Sequence, residues 1–278
     1  MVRIVSDTST LYTSTKAREA GFAVSPLSVT IAGKTYKEFD EITSEEFVAL
    51  IRQGNMPTSS QPAIGDVAEL YDSFPGEDVL NISMADGLSG TYNSAVASAD
   101  LCEKAGSVRV LNTRTLCGPH RYLVEKAVQW AKEGMNMEQL LQRLEEKMAT
   151  EKSFLLPADF EYLRRGGRLS PLVSYVGQAA NLTPVMTLTE DGRRLTIAGI
   201  RRGFAHGFKY VAKALQKHGV GTGWKVYITH ADAVDTAELA RKIVGEAIPD
   251  ADYEIHPLSP VFITQGGPGC VAVQAIKA

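Results

Sequence analysis

The sequence predicts an α/β protein in two parts, an N-terminal doubly wound, mostly parallel sheet over residues 1–150 and a C-terminal mixed α+β domain over residues 151–278. Three observations carry this prediction. Short apolar runs alternate with helical patterns in the first half, and crossovers of a dozen residues or more join parallel strands. After about Thr150 the rhythm changes, and Glu190-Asp191-Gly192 between two extended runs marks a β-hairpin of a strength the first half lacks. The 278 residues amount to roughly two domains at about 150 residues each.

Val2–Val5 reads as the first strand, without the apolar stretch that a signal peptide needs behind it. Val24–Ile31 is extended, and Ala32-Gly33-Lys34 turns it. Thr43-Ser44-Glu45-Glu46 has the spacing of a capping box and opens a helix to about Gln53. A helix over Ala63–Phe74, a strand over Asp78–Ser83, a helix over Thr91–Lys104 and a strand over Val108–Leu111 follow. Helices over Arg121–Lys132 and Met137–Thr150 end the first part. The latter carries Met137, Leu140, Leu141, Leu144 and Met148 on one stripe at helical spacing, which reads as core.

In the second part, Ser153–Pro157 is a strand, and Val185–Thr189 with Arg194–Ile200 forms the hairpin. A helix over Phe204–Lys217, a strand over Trp224–Thr229 and a helix over Thr236–Ala247 come next. Asp252–Pro257, Val261–Thr264 and Val271–Ile276 read as closing strands.

Composition narrows the function. Twenty-nine Lys and Arg against 32 Asp and Glu give a net charge of −3, with no basic block to neutralise a nucleic-acid backbone. No run approaches the roughly 18 apolar residues of a membrane span. Cys102, Cys117 and Cys270 are odd in number, widely spaced and without a CxxC pair, as expected of a cytoplasmic protein. A chain of this size buries about three quarters of its unfolded surface and needs no staple.

Four segments hold candidate chemistry. Met84–Thr91 joins a strand to a helix through Gly87-Leu88-Ser89-Gly90-Thr91, where glycines allow close approach and the helix start offers free N–H groups to an anion. Taken alone, Ser89 or Thr91 is equally a helix cap. Pro57-Thr58-Ser59-Ser60-Gln61-Pro62 is a second hydroxyl-rich turn before a helix. Tyr162–Ser170 sets Arg164, Arg165 and Arg168 around two glycines, a pattern for phosphate, for an acidic partner or for a solvated turn. Gln265-Gly266-Gly267-Pro268-Gly269 is a sharp turn late in the chain.

Enzyme signatures fail. Gly87–Thr91 lacks the last glycine of a GxSxG elbow, there is no GxxxxGK[ST] loop, and the GxGxG of Gly219, Gly221 and Gly223 precedes a strand. The five histidines show no metal spacing, and His230-Ala231-Asp232 reads as a strand end followed by a helix cap. No cofactor, catalytic residue or metal site is expected.

Together, in this order and at these distances, the four segments resemble the DegV family, as does the opening Ser6-Asp7-Thr8-Ser9. The resemblance spans about residues 2–276. It implies two α/β domains with a long-chain fatty acid buried between them, and no chemistry of the protein's own. It also implies that some members present the carboxylate to a separate ATP-dependent fatty acid kinase, a possible partner here.

Carried over residue by residue, the resemblance implies that Ser89 Oγ, the Gly90 N–H, Ser59 and Arg202 meet the carboxylate, with Thr58 and Arg201 as alternatives. Ser59 stands where the family has threonine. Gln265 stands where the family has a histidine before Gly-Pro-Gly, and a glutamine still donates hydrogen bonds but carries no titratable charge. Arg164, Arg165 and Arg168 are assigned to partner docking or to steadying the hinge between domains. Two other readings stay open: a phosphoryl- or acyl-transfer enzyme using Ser89, and an interaction module built on the Arg164–Arg168 turn.

Overall fold

The computed structural model describes residues 1–173 and 182–278. The chain first lays down β1 (Arg3–Asp7), α1 (Ser14–Ala20), β2 (Ala23–Ser25), β3 (Ser28–Ile31), β4 (Lys34–Lys37), α2 (Ser44–Arg52) and β5 (Thr58–Ser60). Next come α3 (Ile64–Asp72), β6 (Val79–Ser83), α4 (Thr91–Ala99), β7 (Val108–Asn112), α5 (Cys117–Lys132) and α6 (Met137–Met148). The remainder forms β8 (Lys152–Leu156), α7 (Phe160–Gly166), β9 (Leu182–Leu188), β10 (Leu195–Arg202), α8 (Gly203–Lys217), β11 (Trp224–His230), α9 (Val234–Ala247), β12 (Asp252–Pro257), α10 (Pro260–Gly266) and β13 (Val271–Lys277).

Strands β2-β1-β6-β7 make a parallel sheet in that order. Every residue of β6 is buried, as expected of a strand covered on both faces. Leu80 and Ile82 face α5 through Leu123, Val124 and Ala127, while Val79 faces Tyr71 of α3. The methionine–leucine stripe of α6 lies on the first of these clusters, with Leu140 and Leu144 fully buried. The Thr43 capping box forms on both sides, Thr43 accepting from the Glu46 amide and Glu46 accepting from the Thr43 amide.

The second large sheet runs β10-β9-β8-β13-β11-β12, antiparallel except for β11 with β12. Helices α8 and α9 cover one face. The other meets α5, where Gly118 comes so close that a Cβ would lie 2.2 Å from Tyr227 Cβ. A small antiparallel sheet, β4-β3-β5, stands beside the first.

Several expectations are corrected. Val261–Thr264 is not a strand but lies in helix α10, which starts with Pro260 in its first turn and ends at Gly267 with φ 78°. Pro57–Gln61 is not a simple turn, because Thr58–Ser60 pairs with β3. Tyr162–Arg165 is helical, stopped by Gly167 at φ 69°. The helix from Thr91 ends at Ala99 rather than Lys104. Asp232 does not cap a helix; its carboxylate pairs with Arg52 at 2.5 Å.

Candidate functional site

The parallel sheet sends its chain to opposite sides after β1 and after β6, so a crevice opens at the carboxyl ends of these two strands. The β6–α4 loop fills one side of it. Asp7, at the end of β1, accepts from the Met84 amide at 3.0 Å and pins the start of that loop. Gly90 caps α4 with φ −73° and ψ 0°, and a side chain there would collide with Gln61 Oε1, 2.1 Å from the Cβ position. Ser89 Oγ lies 2.8 Å from Thr91 Oγ1 and accepts weakly from the Thr91 amide. The N-cap is thus Gly90, without a side-chain cap bond, rather than Ser89 or Thr91.

Facing this loop is a cavity of about 160 Å³. Its polar lining includes Ser59, Ser60, Gln61, Ser89, Gly90, Arg168 and Gln265, from four different segments. Most of the other lining side chains are apolar, among them Leu27, Met84, Leu88, Phe154, Leu163 and Val261. Cys117 and Cys270 also line it as free thiols, and burial pushes the Cys270 thiol up to about 12. Also in the lining, Gln274 Nε2 donates to Ser153 Oγ at 2.7 Å and to Leu116 O at 3.1 Å, a satisfied polar pair.

Gln265 Nε2 donates to Ser59 Oγ at 3.1 Å. A serine hydroxyl that accepts in this way keeps its own hydrogen for another acceptor. Arg168 donates from Nε to Leu88 O at 3.0 Å and from Nη1 to Gly166 O at 2.5 Å, so two backbone carbonyls hold the guanidinium on the pocket wall. Burial, then the charge of Arg194, lowers its pKa, but a guanidinium stays protonated under any physiological condition.

The sequence-predicted residues divide. Ser59, Ser89, Gly90 and Gln265 come together at the pocket. Thr58 is exposed and pairs with Thr30 on β3, outside the lining. Arg202 and Arg201 do not reach it. Strand β10 is the edge of its sheet, so its last residues point elsewhere: Arg202 is exposed, and Arg201 stacks 4.2 Å over the Tyr210 ring.

The arginine in the pocket is Arg168, assigned from sequence to docking. Arg164 and Arg165 do lie on the outer face of α7, the first bridged to Glu161 at 2.5 Å and the second over the Tyr162 ring at 4.9 Å. Sequence reasoning also passed over Gln61, whose contact with Gly90 explains that glycine. Among the described residues, no three His, Cys, Asp or Glu side chains gather as a metal site requires, and no helix is long and apolar enough to cross a membrane.

Comparisons with known proteins show the family and the fold. The family model for DegV, described as uncharacterised proteins, matches residues 1–278. A DegV domain-containing protein of Staphylococcus aureus strain N315 is 26% identical over 279 residues, covering 99% of this chain and 98% of the relative. One from Caldanaerobacter subterraneus is 32% identical over 202 residues, 72% of this chain and 71% of its own length. A solved structure described as fatty acid binding of a DegV family protein from Thermus thermophilus superposes with a TM-score of 0.89 at 27% identity, covering 100% of this chain and 99% of that one. DegV from Bacillus subtilis, described as a fatty acid binding protein, shares the fold with a TM-score of 0.88 at 21% identity and the same coverage.

Proposed function

The chain belongs to the DegV family, and from that premise we propose that it binds a long-chain fatty acid in this pocket, with the carboxylate at the Ser59–Ser89–Arg168 end and the tail along the apolar walls. The observation that carries the reading is an uneven lining: Ser59, Ser89, Arg168 and Gln265 offer donors to the cavity, Gln274 and Ser153 are already bonded to each other, and most of the remaining walls are apolar. An acyl carboxylate needs that asymmetry, because a buried charge must be hydrogen-bonded and a tail must leave water. Burying about 14 methylenes at roughly 0.8 kcal/mol each contributes on the order of 11 kcal/mol before association and ordering costs.

Arg168 supplies the charge, Ser59 and Ser89 their hydroxyl hydrogens, and the Gly90 N–H a backbone donor. Gln265 holds Ser59 in its donating orientation. The pocket lining, among the described residues, contains no His, Lys, Asp or Glu that could act as a base toward Ser89, which supports a carrier over a hydrolase or transferase.

The proposal extends to three finer points. The ligand sits between domains of residues 1–150 and 151–278, consistent with sheets formed wholly within residues 3–112 and 152–277. The carboxylate is presented to a separate fatty acid kinase that docks on Arg164 and Arg165. The protein works in the cytoplasm, in keeping with three free cysteines.

Native mass spectrometry of gently purified protein tests the central claim. It should reveal a mass excess of a C14–C18 fatty acid, and extraction should release that acid intact. Protein that is wholly free of lipid, and that also takes up no such acid in solution, refutes it.

A further inference from the structure

Glu38, just after β4, is a fully buried carboxyl group. Its Oε1 and Thr8 Oγ1 share a short hydrogen bond of 2.5 Å, donated by the carboxyl when it is protonated and by the threonine when it is not, and its Oε2 accepts from the Val261 amide at 3.0 Å, in the first turn of α10. Thr8 Oγ1 in turn accepts from the Leu27 amide at 3.0 Å. Glu38 therefore ties the small sheet to the start of α10, and Ser59–Gln265 ties the same two elements near the end of that helix. This seam is also a pocket wall, with Leu27 and Ser59 on one side and Val261 and Phe262 on the other.

On the fatty-acid reading above, from which this inference starts, the ligand lies against this seam, and parting the seam opens a way for the chain to enter or leave. We propose that Glu38 is a proton-operated latch on that wall, closed while the carboxyl is protonated and buried, and released when opening hydrates and ionises it.

The chemistry around Glu38 fits such a latch. Burial pushes its carboxyl up to about 7, against the pull of the Thr8 and Val261 hydrogen bonds. Asp7, from β1, raises it further. Cys117, from α5, faces it as a neutral thiol, since burial pushes that pKa well above its ordinary value. Helix α10 brings no titratable side chain, and the charges of the segment around Glu38 are engaged elsewhere: Lys37 Nζ with Asp66, Asp40 with Ser14 and Glu41 with the Lys37 amide.

Opening returns Glu38 toward the ordinary 4.5 of a glutamic acid. The closed form then holds the proton more tightly than the open one, so opening releases a proton and becomes easier as pH rises. The rise begins near 4.5 and levels off above about 7. Between about pH 5.5 and pH 7.5 linkage allows an increase of up to about 20-fold in the open population.

The test measures release of bound parinaric acid into phosphatidylcholine vesicles by stopped-flow fluorescence, at both pH values, for the native chain and Glu38→Gln. The latch predicts a release rate that climbs up to about 20-fold in the native chain and less than about twofold in the variant. Hydrogen exchange of residues 258–266 without ligand, corrected for intrinsic base catalysis, should follow the same two patterns.

A flat native profile, or a variant that keeps the full climb, overturns the latch while leaving fatty acid binding intact. Protein that takes up no parinaric acid refutes the binding reading instead, and the exchange profile then decides the latch by itself. The native exchange profile also decides it if Glu38→Gln does not fold.

Discussion

Replacing Arg168 with alanine tests which arginine meets the ligand. Its guanidinium is fixed by Leu88 O and Gly166 O at the pocket lining, and on the proposed reading Nη2 is the donor to the carboxylate. A carboxylate about 4 Å away gains about 1 kcal/mol at the dielectric of water and about 4 kcal/mol at an effective value near 20. For a half-buried group the midpoint is about 2.5 kcal/mol, which corresponds to a loss of roughly 60-fold in affinity. The two lost hydrogen bonds to carbonyls also lower stability by about 1 kcal/mol each, so melting temperature is followed alongside. Fluorescence titration with parinaric acid reads the affinity. Arg168→Lys should recover part of it, keeping the charge without the planar fork. Arg202→Ala should stay within about twofold of the native chain, because an exposed charge outside the pocket is screened within a Debye length. Unchanged affinity in folded R168A, or an equal loss in R202A, refutes this placement of the carboxylate.

Two further outcomes follow from the packing and from the surface charges. Gly118→Ala drives a methyl group into Tyr227, and neither backbone can easily retreat, so it should lose about 1–3 kcal/mol; an unchanged melting temperature would show that α5 and β11 are not in contact as described. The hydrogen bond from His256, helped by Lys225, holds the Glu254 carboxylate down at about 2. A depressed carboxylate stabilises above its ordinary 4.5 and loses that contribution as pH falls toward 2, so Glu254→Gln should flatten the acid limb of a urea-midpoint profile in that window. Parallel limbs for the variant and the native chain would contradict it.

The sequence makes periodic elements legible and tertiary ones illegible. The parallel strands and their helices follow from apolar runs and caps that act locally. Val261-Phe262-Ile263-Thr264 deceives because a short apolar run with β-branched residues fits a buried strand and a buried helix alike. The deciding marks, Pro260 at the start and Gly267 at the end, lie outside the run. Strand β5 has three residues and exists only because β3 pairs with it. Arg168 reads as surface charge until Gly167, in the left-handed region, ends α7 and swings the chain so that the guanidinium reaches Leu88 O. Glu38 gives no local signal at all, since its burial results from docking three distant segments around a polar stretch.

The hydroxyls and glycines that line the pocket stand out in the sequence because their chemistry is local to each motif; Arg168 does not, because its position depends on where a helix stops. Gln265 then changes how the site responds to pH. A histidine at that position would add a charge that comes and goes near neutrality. An amide donates to Ser59 at every pH, leaving Arg168, which never deprotonates, as the charged side chain among the described lining residues. The thiols of Cys117 and Cys270 are pushed far above neutrality by burial and stay uncharged. On the proposed reading the ligand's carboxyl lies inside the cavity, while two carboxyls raised by burial stand behind its wall: Glu38 at α10, and Glu151, which accepts from the lining Ser153. A probe acid that remains ionised across the measured range removes the first of these, and Glu38→Gln then separates a response through α10 from one through Glu151 and Ser153.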